Sequence, residues 1–354
     1  MNAALRPVLH FACPGAIGQP TGGYRYDAAI LGGLAAAGRP VALHELAGRF
    51  PDADDTARAA ARDCLAAARG AVLAIDGLAL PGFEGLLPAP DVAAVVALVH
   101  HPLALETGID ARLRRRFAAL EPRLIRACAG VVVTSPATVP AIRAMGVDPA
   151  RIRVVTPAVE LGPPPPSRRR RGALRLLCVA SLTPRKGHRV LLAALGRLRG
   201  LAWRLDLVGP HRYDRREAGR IATAIAARGL RGRVRLAGAV DAPRVAAAYR
   251  AADLFVLPSW YEGYGMAFAE AIAAALPVVG ARAGAVPATV PVRAGTLVRP
   301  GDPTGLARAL RRLIADPRAR RRLASGARDH ARSLPGWPGQ ARRFGAAIDA
   351  LAAP

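Results

Sequence analysis

The sequence predicts an α/β chain folded as two doubly wound parallel sheets facing a cleft. Three observations predict it. At 354 residues the chain is long enough for two cores of ordinary size. Short apolar runs of strand length alternate with longer helical stretches in two separate series, the pattern of parallel sheets covered on both faces. Between the series stands GPPPPSRRRRG at residues 162–172, whose prolines and arginines continue neither a helix nor a central strand.

In the first series residues 7–13 read as a buried strand, 24–37 as a helix and 40–46 as a second strand. An Ala-rich helix follows at 54–69, then strands at 71–75, 93–99 and 130–134, with a long helix at 110–128 before the last. The second series opens with a strand at 175–181, a helix at 188–198 and a strand at 204–208. Further strands read at 234–237, 254–257 and 277–280. Asp302-Pro303 is an N-cap and first-turn pair for the helix that follows. The expected organisation is an N-terminal domain over 1–161, a linker over 162–172, a C-terminal domain over 173–335 and a terminal helix within 336–354.

Composition excludes several classes. Hydrophobic residues make up 52% and aromatics only 5%, so Ala, Leu and Val must fill the cores of a globular chain. No apolar run approaches the ~20 residues of a membrane span, and no signal peptide is read at the N-terminus. The four cysteines, Cys13, Cys64, Cys128 and Cys178, form no C-x-x-C pair, which points away from a zinc site or a disulfide framework and toward the cytoplasm. The formal charge of +26 raises the question of nucleic acid, but Lys186 is the single lysine among 51 basic residues. So uniform a choice of arginine, with so much Ala, Gly and Pro, reads as a compositional bias of the whole chain. The arginine groups at 112–116, 308–312 and 318–322 lie on predicted helices without interleaved aromatics, so nucleic acid is not an expected partner. A solvated basic face is one reading of them. The other is attraction to an anionic membrane surface or a polyanionic acceptor.

In open parallel sheets ligands bind beyond the carboxyl ends of strands, and the informative motifs lie there. Ser259-Trp260-Tyr261-Glu262-Gly263-Tyr264-Gly265-Met266 follows one strand and leads into a helix carrying Glu270. Gly263 and Gly265 permit close backbone approach, the first helical N–H groups suit phosphate, and a carboxylate at Glu270 suits a ribose. Arg185, Lys186 and Gly187 sit in another strand-to-helix loop, an anion site by charge and by helix start. Gly22-Gly23 follows the first strand and precedes the helix at Tyr24, either a turn or a point of close approach. His100, ahead of His101-Pro102, ends the strand at 93–99, where it is a structural histidine or one that binds or shuttles a proton. No neighbouring His or carboxylate gives either histidine the spacing of metal ligands.

Taken together these residues resemble glycosyltransferase family 4, retaining enzymes of the GT-B fold with two Rossmann-like domains. The likeness runs from Gly22-Gly23 through His100, residues 135–157 and Lys186-Gly187, to the E-x7-E element of Glu262 and Glu270 and the segment from Trp337. It implies transfer of a hexose-type sugar from a nucleoside diphosphate sugar, with retention, to an unidentified glycan, lipid-linked or small-molecule acceptor. The donor is then a substrate, and neither a cofactor nor a metal is implied. By the resemblance Glu270 holds the ribose and Glu262 the transferred sugar, while amides of Gly263, Tyr264, Gly265 and Met266 support sugar and phosphates. Lys186 neutralises the diphosphate, Gly22 and Gly23 approach it, and His100 contacts the sugar. The terminal helix crosses back to the N-terminal domain. One departure stands out: Ser181 occupies a place where the family often has arginine, and Arg185 is the neighbour able to replace that charge. A cytoplasmic enzyme, or one placed peripherally at the inner face of a membrane, is expected. The alternatives are a nucleotide-sugar epimerase on the same fold, which needs no acceptor, and an inactive relative that works through its basic surface.

Overall fold

The computed structural model describes residues 7–106, 108–159 and 172–353. The linker expected at 162–172 lies, except for Gly172, outside the described residues. The chain divides into two compact units, Met1–Ala158 with Pro335–Pro354, and Val159–Leu334.

The first unit contains β1 (Leu9–Pro14), α1 (Gly22–Ala36), β2 (Val41–Leu46), α2 (Asp55–Ala67), β3 (Val72–Asp76), β4 (Ala94–Val99), α3 (Ala111–Ala127), β5 (Gly130–Val133), α4 (Val139–Ala144) and β6 (Ile152–Val154). All its strand pairs are parallel, in the order β2-β1-β3-β4-β5-β6. Every residue of β4 and β5 is buried, because helices cover both faces of a central strand. The terminal helix, α12 (Trp337–Ala352), belongs to this unit and packs on α1, β4 and β5. Buried Arg39 fastens it, donating to the carbonyl of Gly345 at 3.2 Å and pairing with Asp349 at 2.8 Å.

The second unit holds β7 (Leu174–Val179), α5 (His188–Gly196), β8 (Trp203–Val208), α6 (Arg215–Ala227), β9 (Val234–Gly238), α7 (Ala242–Ala251) and β10 (Leu254–Leu257). It continues with α8 (Met266–Ala273), β11 (Val278–Ala281), α9 (Val286–Thr289), β12 (Gly295–Val298), α10 (Pro303–Ala315) and α11 (Pro317–Ala331). Its parallel sheet runs β12-β11-β10-β7-β8-β9, which is the doubly wound order of dinucleotide-binding folds. Asp side chains cap helix after helix: Asp214 accepts from the amide of Glu217, Asp241 from Arg244, Asp316 from Arg318 and Ala319. Asp302 caps α10 as expected, accepting from the amides of Thr304 and Gly305 with Pro303 in the first turn.

Two sequence expectations are corrected in local structure. Gly22 and Gly23 are not a loop ahead of the helix; they are the first residues of α1, behind Thr21. β6, β12 and the short helices α4 and α9 carry no strong periodicity and are missing from the sequence reading, because three to six residues are too few to show a repeat.

Candidate functional site

Both sheets reverse their winding direction once, and ligands of such sheets bind beyond the strand ends at that point. In the second unit the reversal lies between β7 and β10, which pair through Leu254 with Leu176 and Phe255 with Leu177. The loop after β7 carries Arg185 and Lys186, and the loop after β10 carries Glu262. Topology therefore joins two motifs far apart in sequence. Lys186 Nζ donates to both oxygens of Glu262, at 2.7 and 2.9 Å. Ser259 Oγ donates to Oε1 of the same carboxylate at 2.6 Å, and Arg185 lies 3.6 Å from Oε2. The loops also exchange backbone contacts: Arg185 donates to the Tyr261 carbonyl, and the Trp260 amide to the Arg185 carbonyl. Gly187 makes this approach possible. It sits at φ +69, and a side chain there would meet the Pro258 carbonyl oxygen at 2.1 Å.

Glu262 is only 6% exposed. Burial works to raise its pKa, but the charges of Lys186 and Arg185 outweigh burial and hold the carboxyl below its ordinary range. Its main chain is pinned as well, since the Ala285 amide donates to the Glu262 carbonyl at 2.8 Å. Thr289 donates to the carbonyl of Tyr264 at 2.6 Å, fixing the far side of the glycine loop. Gly265 then N-caps α8, Met266 begins it, and Glu270 lies buried one turn in. Tyr249, from α7, donates its hydroxyl to Glu270 Oε2 at 2.8 Å. His188, just past Gly187, is buried; burial first, then the Lys186 charge, depresses its imidazole to about 4, so it is neutral. Beyond the ends of β7, β8 and β9 an apolar recess of about 320 Å³ is lined by Leu182, Leu207, His211, Ala218, Leu236 and Gly238.

In the first unit the winding reverses between β1 and β3. Here His100, directly after β4, turns Nε2 toward two carboxylates: Asp27 Oδ1 of α1 at 3.0 Å and Asp76 Oδ2 at the end of β3 at 3.6 Å. Gly23 lies beneath the ring, its missing side chain leaving the space that His100 Cδ2 would otherwise contest at 3.2 Å. Tyr26 meets the ring edge-on at 5.3 Å between centroids, and Trp337 of α12 packs on Tyr26 in turn. His101 turns elsewhere, to Glu106 at 3.0 Å. One donor atom each from Asp27, Asp76 and His100 fall within 4.8 Å of one another.

Of the sequence-predicted residues, the structure thus joins Arg185, Lys186 and Glu262 in one cluster, with Gly263, Tyr264, Gly265, Met266 and Glu270 on the continuous loop and helix beside it. It places Gly23 against His100 in the other unit. Sequence reading missed Asp27, Asp76 and Tyr249, and gave Ser259 no role beyond opening the glycine motif. Asp76 had a signal, an acidic residue closing an apolar strand. Asp27 and Tyr249 look like ordinary helix residues until tertiary structure buries them.

Comparison with known proteins agrees with this geometry. The family described as "Glycosyl transferases group 1" matches residues 173–316, and "Glycosyltransferase Family 4" matches residues 32–162. The chain belongs to the family 4-type glycosyltransferases of GT-B fold. Among curated relatives it is similar to a D-inositol 3-phosphate glycosyltransferase of Thermomonospora curvata, 37% identical over 54% of this chain and 50% of that protein. It is also similar to an MMP alpha-(1->4)-mannosyltransferase of Mycolicibacterium hassiacum, 29% identical over 69% of this chain and 62% of the other. The chain spans about half the length of the first of these relatives. Among solved structures, sucrose-phosphate synthase from Thermosynechococcus elongatus superposes with a TM-score of 0.82, covering 96% of this chain and 98% of that one at 22% identity. Anabaena HepE, solved in complex with UDP-glucose, superposes with a TM-score of 0.78 over 97% and 99% at 19% identity. These likenesses fix the fold. Among the described residues no helix is long and apolar enough to cross a membrane.

Proposed function

We propose that the chain is a retaining glycosyltransferase that moves a hexose-type sugar from a nucleoside diphosphate sugar to an acceptor hydroxyl. The observation that carries the reading is the meeting of Lys186 and Arg185 with Glu262 where the second sheet reverses its winding. A leaving diphosphate gains negative charge in the transition state, and fixed cations beside a helix start are what stabilise it. Lys186 takes the diphosphate, exchanging part of its contact with Glu262 for phosphate oxygens. Arg185, held on the same carboxylate, supplies the second charge that Ser181 does not. These cations stand in for a metal ion, so transfer proceeds in a chelator. Glu262 is freed to accept from the sugar's hydroxyls. Glu270, aligned by Tyr249, accepts from the ribose, and amides of Gly263 to Met266 receive sugar and phosphate oxygens. The apolar recess between the ends of β7, β8 and β9 suits a flat base. In the first unit His100 donates to a sugar hydroxyl, with Gly22 and Gly23 giving the ligand close access.

The test is incubation of purified chain with UDP-, GDP-, ADP- and dTDP-sugars, with and without acceptors and EDTA, followed by product NMR. The relatives' names make inositol 3-phosphate and phosphorylated sugars the first acceptors to try. A product with the donor's anomeric configuration, formed in EDTA, supports the reading. Conversion of the donor sugar with no acceptor present would instead identify an epimerase. An inverted product would overturn the retaining mechanism.

A further inference from the structure

The buried charges around His100 do not balance as ordinary ionised groups. Asp27 and Asp76 are 0% and 1% exposed, and among the described residues His100 is the one basic group on them. Asp76 Oδ1 accepts the Leu78 amide at 2.6 Å, while Asp27 Oδ2 and Asp76 Oδ2 meet no further donor group among the described residues, and the two carboxyls interact with each other. Two ionised carboxylates with a neutral imidazole would bury a charge of minus two, and with an imidazolium a charge of minus one. Burying net charge is costly, and the site avoids it by holding two protons among three groups. One proton is on the ring. The other falls to Asp27, because the Leu78 amide stabilises Asp76 as the anion and Asp27 has no such donor.

We propose that Asp27 and Asp76 are positioning residues that hold His100 as a fixed imidazolium, so that it acts on the sugar as a charged hydrogen-bond donor and not as a proton shuttle. Nε2–H donates to Asp27 Oδ1 at 3.0 Å, with Asp76 Oδ2 at 3.6 Å beside it, which leaves Nδ1–H as the bond the ring offers a ligand. The titration behaviour of the three groups agrees. Burial, aided by the Asp76 charge, pushes Asp27 up to about 7 against the pull of His100. Burial opposes protonation of His100, but the carboxylates overcome it and raise the ring to about 10. Asp76 stays below its usual value, burial being outweighed by His100 and the Leu78 amide. The other groups facing the cluster do not titrate near neutrality. Burial pushes Cys13 to about 12 and raises both Tyr24 and Tyr26, which donates to the Val155 carbonyl, well above their ordinary range.

The inference rests on the proposed function for its ligand, but its test needs none. The full chain is labelled with 15N-histidine and its ring nitrogens are followed from pH 5 to 10, with His100→Gln identifying one of the seven histidines. The expected result in the wild type is a ring protonated on both nitrogens through pH 8.5. Asp27→Asn should lower its midpoint by more than one unit, a tenfold loss of proton affinity. A ring neutral at pH 7, or titrating near 6.5 in the wild type, overturns the proposal even if Asp27→Asn does not fold. So does an unchanged midpoint in folded Asp27→Asn, or uptake of added Mg²⁺ or Zn²⁺ that displaces the ring proton. In the transferase assay the same account expects no acid–base limb from His100 between pH 6 and 8. Loss of transfer activity alone would count against the proposed function and leave the ring titration standing.

Discussion

Gly284→Ala probes whether the glycine loop is held in one productive geometry. Gly284 sits at φ +52, and an ideal Cβ there falls 2.3 Å from the carbonyl oxygen of Glu262 and 2.9 Å from its nitrogen. Ordinary contact requires about 3.5–4 Å, so the Glu262 main chain would retreat by roughly 1 Å. The left-handed backbone adds ~1–2 kcal/mol for a residue with a side chain, and loss of the Ala285 amide bond to Glu262 adds about 1 kcal/mol. The stability cost is therefore about 2–3 kcal/mol. The displacement matters more, since 1 Å of misplacement near the chemistry costs on the order of a hundredfold in rate. The control is Gly38→Ala, at φ +78 with nothing within 4 Å of its Cβ, which introduces backbone strain without a clash. Transfer kinetics and urea unfolding of both variants separate the effects. Gly284→Ala should lose about a hundredfold in kcat/KM while Gly38→Ala stays near wild type. Equal activity in the two variants would refute the idea that Gly284 sets the position of Glu262.

Further predictions follow from the same contacts. Lys186→Met should destabilise the second unit by about 3 kcal/mol, because it strands a buried carboxylate. Combined with Glu262→Gln it should cost ~2 kcal/mol less than the sum of the single changes; urea unfolding followed through Trp203 and Trp260 checks both. Tyr249→Phe removes the hydroxyl on Glu270 and should weaken donor binding about tenfold, or ~1.4 kcal/mol, as titration calorimetry would read. His188 takes a proton near 6.5 when unfolded but only near 4 when folded. Its contribution to stability is therefore full above pH 6.5 and lost as pH falls toward 4. Unfolding midpoints across that range should show the decline in wild type and a shallower one in His188→Asn.

Much of this was legible because parallel strands buried on both faces read as unbroken apolar runs. AVVALV at β4 and LFVL at β10 admit no other placement, and both are wholly buried. Lys186, Glu262 and Glu270 were legible for a second reason, since glycine-broken loops between a strand and a helix mark the ligand edge of such sheets. Partnership was not legible. That Lys186 bonds Glu262 depends on β7 lying beside β10, a crossover that local sequence does not encode. Asp27 and Asp76 come together from α1 and β3 by the same kind of non-local pairing, and their importance lies in burial, which a hydrophilic residue within a helix does not advertise. Gly22-Gly23 misled because paired glycines usually break helices, whereas here they begin one and Gly23 makes room for His100.

The central claim, that the second unit grips a nucleoside diphosphate sugar through Lys186 and Glu270, is tested most directly by calorimetry. Wild type, Lys186→Met and Glu270→Ala would be titrated with UDP-, GDP-, ADP- and dTDP-sugars in a chelating buffer. The account predicts selective binding to one base by the wild type, weakened roughly tenfold or more in each folded variant, as expected for loss of a charge-assisted hydrogen bond. Equal affinity in the wild type and both variants, or no binding of any donor by the folded wild type, would contradict it.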